Sequence, residues 1–198
     1  MEAIKFSHPG ADDHDPKLLS DRALHDFLLR KNVQREMDVV EIYLANRDLR
    51  DLRPLRRFRN LSRLWLQSNK VSPSLDPLSL SLPLNASFQL QKLPFLLNCD
   101  CLTELYLQHN LIQSIEHCFR GLTNIEVLFL NANQLTDLKA TAHELSFLKF
   151  LRNLNLFDNP MALERAYKKY VVHKCPSLVV FDRNSKPNPP PTFSRACN

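Results

Sequence analysis

Residues 102–112 read LTELYLQHNLI, and the spacing of the apolar residues and the asparagine in this stretch decides the fold. Apolar residues occupy positions 1, 4, 6 and 11 of the stretch, and asparagine occupies position 9. A short strand alternates its side chains between two faces, so positions 4 and 6 point into one core. We expect position 9 to turn inward too, because an amide there can bond the backbone groups that the bend leaves unpaired.

The same pattern recurs along the chain, three times complete and once degraded. The complete copies begin at Leu61, Ile125 and Leu151. The degraded copy begins at Val39, where Arg47 takes the place of the asparagine. One unit cannot bury its apolar edge alone, so neighbouring units must stack. The pattern therefore predicts an α/β solenoid of five units with a curved parallel sheet on its concave side.

The starts of the five units are separated by 22, 41, 23 and 26 residues. Three of these separations predict short units whose outer side is a brief extended or 3₁₀ segment. The separation of 41 residues holds one unit and an excess, which we assign to an insertion at residues 72–90 rich in Ser, Leu and Pro. A docking loop and a peculiarity of splicing are the two explanations left open for the insertion.

The ends of the chain differ from the repeats in composition. We predict a disordered N-terminus at residues 1–16, an N-terminal capping helix within 17–38, repeats over 39–161, a C-terminal cap at 162–183 and a disordered Pro-rich tail at 184–198. The cap is predicted to hold an amphipathic helix over 162–174, with Leu163 on its apolar side. Pro176 stops that helix, and an apolar run then leads to Asp182.

This combination of short repeats, helix, proline, apolar run and Asp182 resembles cytosolic leucine-rich repeat proteins of the phosphatase-regulatory, spliceosomal A-prime and axonemal dynein light-chain kinds. Within it, LTDLKAT at 135–141 and LFDNP at 156–160 look most similar to small axoneme-associated members. The resemblance covers about residues 36–183. It implies a leucine-rich repeat solenoid with helical caps at both ends. Arg47, the insertion and the short tail depart from the family pattern.

Positions 3, 5, 7 and 8 of each unit are predicted to face outward on the concave sheet. Position 5 is aromatic in four consecutive units, and polar residues flank it. An aromatic centre with a polar rim is typical of a protein interface, although aromatic pairs across strands also simply stabilise a sheet. The residues predicted to bind a partner protein are Tyr43, Trp65, Tyr106, Phe129, Phe157, Arg63, Glu104, Gln108 and His109.

Arginines are concentrated between the first two strands. The basic patch consists of Arg50, Arg53, Arg56, Arg57 and Arg59, between Arg47 and Arg63. Such a run is usually a solvated face. Binding of RNA phosphates is the alternative function, and an acidic protein surface would suit the same charges.

The sequence gives little support for an enzyme. Only two glycines are present, so no glycine-rich phosphate loop can form. No nucleophile elbow or paired carboxylates are recognisable, and we predict no cofactor, small-molecule substrate or metal. Zinc is the alternative for Cys99, Cys101, His117 and Cys118, but the spacing favours Cys101 and Cys118 as core thiols.

The five cysteines and the absence of a signal-peptide pattern predict a reducing compartment. We expect a cytoplasmic monomer, with the axoneme or the nucleus as alternatives, and no membrane contact. The net charge of +5 permits an acidic partner without demanding one.

Overall fold

The computed structural model describes residues 16–71, 99–119, 121–182, 184 and 185. The predicted insertion at 72–90, residues 1–15 of the predicted disordered N-terminus and residues 186–198 of the predicted tail lie outside this part. Its helices are α1 (Pro16–Arg30), α2 (Leu138–Leu145) and α3 (Tyr167–Lys174). Its strands are β1 (Glu41–Tyr43), β2 (Arg63–Trp65), β3 (Glu104–Tyr106), β4 (Val127–Phe129), β5 (Asn153–Asn155), β6 (Val180–Phe181) and β7 (Asn184–Ser185).

The strands form one sheet in the order of the chain, from β1 to β7. The first six strands are parallel, and β7 pairs antiparallel with β6. The predicted solenoid with a parallel sheet is therefore confirmed. It continues one strand further than predicted, because the apolar run before Asp182 forms β6. Asn184 and Ser185 form a strand, so the predicted disordered tail began too early.

The apolar positions of the repeat face the core, as the spacing predicts. Leu64 and Leu66 in the second unit and Leu105 and Leu107 in the third have no exposed surface. Burying one leucine side chain stabilises the fold by about 1.5–3 kcal/mol. One continuous core runs the length of the stack, from α1 to Phe181.

The asparagine at position 9 ties each unit to the unit before it. The Asn110 Nδ2 donates to the carbonyl oxygens of Leu66 and Leu107, both at 3.0 Å. Its Oδ1 accepts from the Val71 backbone N–H at 2.9 Å. Asn69, Asn133 and Asn159 make the equivalent contacts in their own units. This confirms the predicted structural role of the amides.

Arg47 at position 9 of the first unit needs no such amide, because no unit precedes it. Its own backbone N–H is instead bonded by the Asn69 Oδ1 at 3.1 Å. The side chain of Arg47 is exposed. Arg47 can therefore replace the asparagine because it lies in the first unit of the stack.

Position 8 forms the bend at the end of each strand. Its backbone is left-handed in every unit, with φ between 54° and 57° for Asn46, Ser68, His109, Ala132 and Asp158. These residues turn the chain out of the strand, which brings position 9 inward. That position 8 faces the concave surface stays a prediction.

The outer segments differ between units. A 3₁₀ helix at Arg53–Arg57 fits the predicted brief outer segment, but the long fourth unit contains α2, a full α-helix. Asp137 caps α2 by accepting from the Ala140 backbone N–H at 2.9 Å. On the inner side of α2, Glu144 is buried and its carboxylate accepts from the backbone N–H groups of His117 at 3.0 Å and Phe119 at 2.8 Å. This carboxylate joins the third and fourth units.

Helix α1 packs on the first unit at the N-terminal end. Ala23 and Leu24 are buried in the core, and Phe27 and Leu28 pack against it. A second 3₁₀ helix, Glu36–Asp38, leads from α1 toward β1.

The α-helix of the C-terminal cap is shorter than predicted. A 3₁₀ helix at Pro160–Leu163 precedes α3, and Leu163 is 90% exposed. The predicted helix over 162–174 is therefore wrong in its first turn, and Leu163 does not face the core. The reason is that the chain must first leave the bend after β5, and α3 begins only at Tyr167.

Asp182 ends the backbone hydrogen-bond ladder. In the interior of the sheet, a carbonyl of the next strand accepts from the backbone N–H at position 6. In the fifth unit the Asp182 Oδ1 accepts instead, from Leu156 N–H at 2.8 Å and Phe157 N–H at 3.1 Å. Its Oδ2 accepts from the buried Tyr167 hydroxyl at 2.8 Å. Burial, and then the Asp182 charge and hydrogen bond, raise the pKa of Tyr167 above its usual value.

Candidate partner-binding surface

Four aromatic rings form a continuous strip across the concave face of β1 to β4. Tyr43, Trp65, Tyr106 and Phe129 lie side by side because the strands pair in register. The centroids of neighbouring rings are 6.3, 5.5 and 5.1 Å apart along the strip. The Trp65 and Tyr106 rings are stacked with an interplanar angle of 4°. We call these four residues the aromatic strip.

The aromatic strip is most exposed to solvent at its N-terminal end and is more buried toward β4. Tyr43 is 54% exposed, while Trp65, Tyr106 and Phe129 are partly buried against their neighbours. Asn155 follows Phe129 in register on β5 and is buried. The strip therefore spans four strands. Phe157, predicted to extend it, is partly buried at position 7 of the fifth unit.

Charged and polar groups border the strip at position 3. Arg63 Nη2 lies 3.1 Å from Glu41 Oε2, and its guanidinium carbon lies 5.9 Å from the Trp65 ring. The Tyr106 hydroxyl donates to Glu104 Oε2 at 2.8 Å. Burial, followed by this hydrogen bond, raises the pKa of Tyr106 to about 12, so the hydroxyl is a donor at neutral pH. The predicted rim residues Arg63 and Glu104 thus contact the strip directly.

Three amide oxygens beside the strip are buried and have no hydrogen-bond partner. They belong to Gln67 and Gln108 at position 7 and to Asn155 at position 5. A buried polar atom without a partner is costly, and native structures contain few of them. Each of these oxygens is also shielded from solvent, so a bound partner could donate to it only after its side chain turns toward the surface. Their lack of partners was not recognisable from the sequence, which gives residue types but no contacts.

His109 lies outside this arrangement. It is exposed at the left-handed bend after β3, so it lies at the margin of the concave surface. Ala45 and Asn131 at position 7, by contrast, are buried. The predicted outward face is therefore narrower than positions 3, 5, 7 and 8 together.

The basic patch lies on the outer side of the solenoid, away from the strip. Its five arginines are all exposed. The Arg53 guanidinium bonds both carboxylate oxygens of Asp51, at 2.7 to 3.0 Å. Arg57 Nε lies 3.2 Å from Glu36 Oε1. The hydrogen bond to Arg53 helps to lower the pKa of Asp51 although burial opposes it. The structure does not bring this patch and the aromatic strip together.

The cysteines are distributed differently from the prediction. Cys118 is buried as predicted, but Cys101 is exposed and Cys99 is buried instead. Burial raises the pKa of the Cys99 thiol to about 11, with smaller contributions from Asp100 and Cys101. Cys101 is exposed because it lies in the turn before Leu102, outside the inward positions. The described residues contain no group of three or more His, Cys, Asp or Glu side chains arranged to hold a metal ion.

No helix in the described part of the chain is long and apolar enough to cross a membrane.

Stacked strand-and-bend units with a buried asparagine ladder define a leucine-rich repeat solenoid. A family model described as "Leucine-rich repeat" matches residues 73–186, more than half of the chain. The chain belongs to this family.

Curated relatives cover most of the chain. Leucine-rich repeat-containing protein 51 from Homo sapiens is 26% identical over 152 residues, which are 75% of this chain and 73% of that protein. The Bos taurus protein of the same name is 28% identical over the same coverage.

Among solved structures, the Drosophila melanogaster SNF/U2A′ complex contains a similar chain, with a TM-score of 0.56, 20% identity and 73% of each chain covered. A leucine-rich repeat protein from Leptospira interrogans matches with a TM-score of 0.51 and 19% identity, covering 73% of this chain and 37% of that one. Both support the fold. The similarity to axoneme-associated members inferred from residues 135–182 stays a prediction.

Proposed function

We infer that this protein is an interaction module that binds a partner protein on its concave face. Leucine-rich repeat domains are generally protein-interaction modules, and solenoids of this kind offer extended concave surfaces. The observation that carries the proposal is the continuous aromatic strip of Tyr43, Trp65, Tyr106 and Phe129. Arg63, Glu104 and Gln108 form its polar border, and His109 and Phe157 belong to the margin.

The size and chemistry of the strip suit a binding surface. Each ring offers up to about 150–250 Å² of contact area, and because Tyr43 is 54% exposed while Trp65, Tyr106 and Phe129 are partly buried, the strip presents at most roughly 300 Å². A soluble monomer rarely exposes a larger contiguous apolar area unless it is used. Rings held by their neighbours also lose little conformational entropy when a partner covers them.

Cross-strand aromatic pairing is the competing explanation, since such pairs stabilise a sheet by about 0.5–1.5 kcal/mol each. That explanation accounts for the ring contacts. It does not account for the 54% exposure of Tyr43 at the N-terminal end of the strip. The exposed ring therefore favours binding over a purely structural role.

The test compares two aromatic substitutions in affinity capture from native tissue. Trp65→Ala removes the centre of the strip, and Phe150→Ala removes an exposed ring outside it. We expect Trp65→Ala to weaken capture of specific partners by about 2 kcal/mol or more, the usual loss at a binding hot spot. Phe150→Ala should capture them as the unaltered protein does. Equal capture by both variants would contradict the proposal.

The proposed setting is the cytoplasm, with the axoneme and the nucleus as narrower alternatives. The cysteine pattern of the sequence supports a reducing compartment. A related solenoid was solved in the SNF/U2A′ complex, so the fold is compatible with assembly with another protein. Localisation of the tagged full chain in ciliated cells would separate these alternatives.

RNA binding through Arg50, Arg53, Arg56, Arg57 and Arg59 is the alternative function. The exposure of all five arginines supports this function. The ion pairs of Arg53 and Arg57 count against it, because they reduce the charge available for phosphates. Affinity capture with and without RNase distinguishes the two functions. Partners that depend on RNA, with affinity that falls steeply with salt, would favour the alternative.

A further inference from the structure

Large apolar side chains are exposed at the N-terminal end of the solenoid, apart from the centre of the aromatic strip. Leu29 at the end of α1, Met37 in the 3₁₀ helix, Val40 before β1 and Tyr43 on β1 are between 49% and 65% exposed. Exposed apolar residues scattered singly need no explanation, but this group occurs within 15 residues of sequence at one end of the stack. We call these four residues the N-terminal apolar group.

The contacts place this group between charged residues. Glu36, next to Met37, pairs with Arg57 at 3.2 Å. The Asn60 side chain donates to the Met37 carbonyl oxygen at 2.8 Å, which brings Arg59 to the same region. On the other side, Lys31 Nζ lies 3.8 Å from Glu41 Oε1, at the start of β1. The N-terminal apolar group therefore lies beside the basic patch.

The charge of this end is strongly positive. Residues 30–71 contain eleven Lys or Arg and five Asp or Glu, a net charge of +6 against +5 for the whole chain. The rest of the chain thus contributes no net positive charge. Exposed arginines present paired donors that fit carboxylates. The field at this end attracts an acidic partner.

The backbone of β1 offers hydrogen bonds at the same end. The Val40 carbonyl and the Leu44 N–H face β2, so the alternating geometry of a strand turns the backbone groups of Glu41 and Tyr43 to the open edge. Within the described residues, β1 pairs with no strand other than β2. An open strand edge can accept an added strand from another polypeptide.

We propose that the N-terminal end of the solenoid is a second docking site, which binds an extended acidic segment of a partner protein along the edge of β1. Apolar side chains of the segment cover Met37 and Val40, and its carboxylates face the arginines beside them. The site adjoins the aromatic strip at Tyr43, so one partner can occupy both surfaces. The proposal shares Tyr43 with the concave surface and otherwise rests on Leu29, Met37, Val40 and the arginines beside them.

Charge and side-chain chemistry argue against two other occupants. A second copy of this chain would bring two ends of net charge +6 together, which like-charge repulsion opposes. Single-stranded RNA is recognised largely by stacking its bases on aromatic rings, and Tyr43 is the one ring in this group, since Leu29, Met37 and Val40 offer none.

The test measures binding of a fluorescent peptide of alternating Glu and Val to the full chain by anisotropy. A peptide of alternating Lys and Val is the sign control, and an oligo-uridine strand is the RNA probe. We expect the acidic peptide to bind and both other probes to bind at least about tenfold more weakly at about 0.15 M salt. N-methylation of alternate amides of the acidic peptide should weaken binding by a similar factor, because it removes the donors to β1.

Two substitutions locate the site. Met37→Ser with Val40→Thr should weaken peptide binding about tenfold, and Arg59→Glu about fivefold. Leu163→Ser and Lys149→Glu are the matched apolar and charge controls, both exposed elsewhere, and should change it less than about twofold. Failure of the acidic peptide to bind, tighter binding of oligo-uridine, or a dimer dissociated by Met37→Ser with Val40→Thr would overturn the proposal.

Discussion

At the scale of single residues, the position-9 asparagines hold the units together. Each amide bonds backbone groups of two consecutive units, none of which can reach water. Removing the amide leaves those groups buried and unpaired, at a cost of about 1–3 kcal/mol for each. A core leucine of the same unit stabilises the fold only by burying apolar area. It therefore has a smaller effect than the amide on which units pack together.

Asn110→Ala tests this role. The change removes the bonds to Leu66, Leu107 and Val71, so we expect a loss of about 3 kcal/mol or more in the free energy of unfolding by urea. Gln134→Ala is the control, because Gln134 is exposed and its side chain bonds only Gln113. A loss at Asn110 no larger than at Gln134 would show that the amides are dispensable.

The repeat pattern predicted these residues correctly because their role is set by spacing. Leu64, Leu105 and the asparagines all lie where the period places them. Cys101 was misplaced, because it lies in the turn before Leu102, where the side-chain alternation of a strand does not apply. Glu144 was missed altogether: nothing in a sequence distinguishes a glutamate that bonds two N–H groups in another unit from one on a surface.

At the scale of elements, the fold depends on how outer segments and caps close the stack. Glu144 on α2 replaces missing backbone acceptors for the outer segment of the third unit. Asp182 likewise supplies a missing acceptor for the backbone N–H groups that follow β5. In both places a carboxylate compensates for the lack of a regular neighbour.

Glu144→Ala should lower the free energy of unfolding by about 3 kcal/mol, because two buried N–H groups lose their acceptor. Glu144→Gln keeps one acceptor oxygen, and we expect it to recover about half of the loss. Glu164→Ala, at an exposed position, is the control. Equal stability of Glu144→Ala and Glu164→Ala in urea would contradict the bridging role of α2.

Tyr167→Phe tests the C-terminal cap. Loss of the buried hydrogen bond to Asp182 should lower stability at pH 7 by about 1.5–3 kcal/mol. The raised pKa of Tyr167 adds a pH dependence. The contribution of the neutral hydroxyl is complete below pH about 10, the pKa of an unfolded tyrosine, and is lost as pH rises toward the folded-state pKa.

Urea unfolding at a series of pH values measures both effects. The unaltered chain should lose stability from pH about 10 upward, and Tyr167→Phe should lose less over the same interval. Parallel pH profiles for the two proteins would show that ionisation of Tyr167 does not cause the loss of stability, which would contradict the prediction.

At the scale of the whole molecule, the period of the repeat was sufficient to predict the architecture, and composition was not sufficient to predict the partner. The five units follow from Leu61, Leu102 and their equivalents. Strand β6 was hidden because Phe181 pairs with Leu154 at position 4, and position 9 in that register is Lys186, not an asparagine. The aromatic strip was predictable, since in-register pairing follows from stacking. The lack of hydrogen-bond partners for the amide oxygens beside it could be recognised only in the structure.

Trp65 is the only tryptophan in the chain and lies in the centre of the aromatic strip, so its fluorescence reports on the proposed surface directly. The decisive measurement is acrylamide quenching of Trp65 with and without a captured partner that itself lacks tryptophan. Docking on the concave face predicts a shift of the emission to shorter wavelength and protection from the quencher. Unchanged emission and quenching in a complex shown to be fully bound would contradict it.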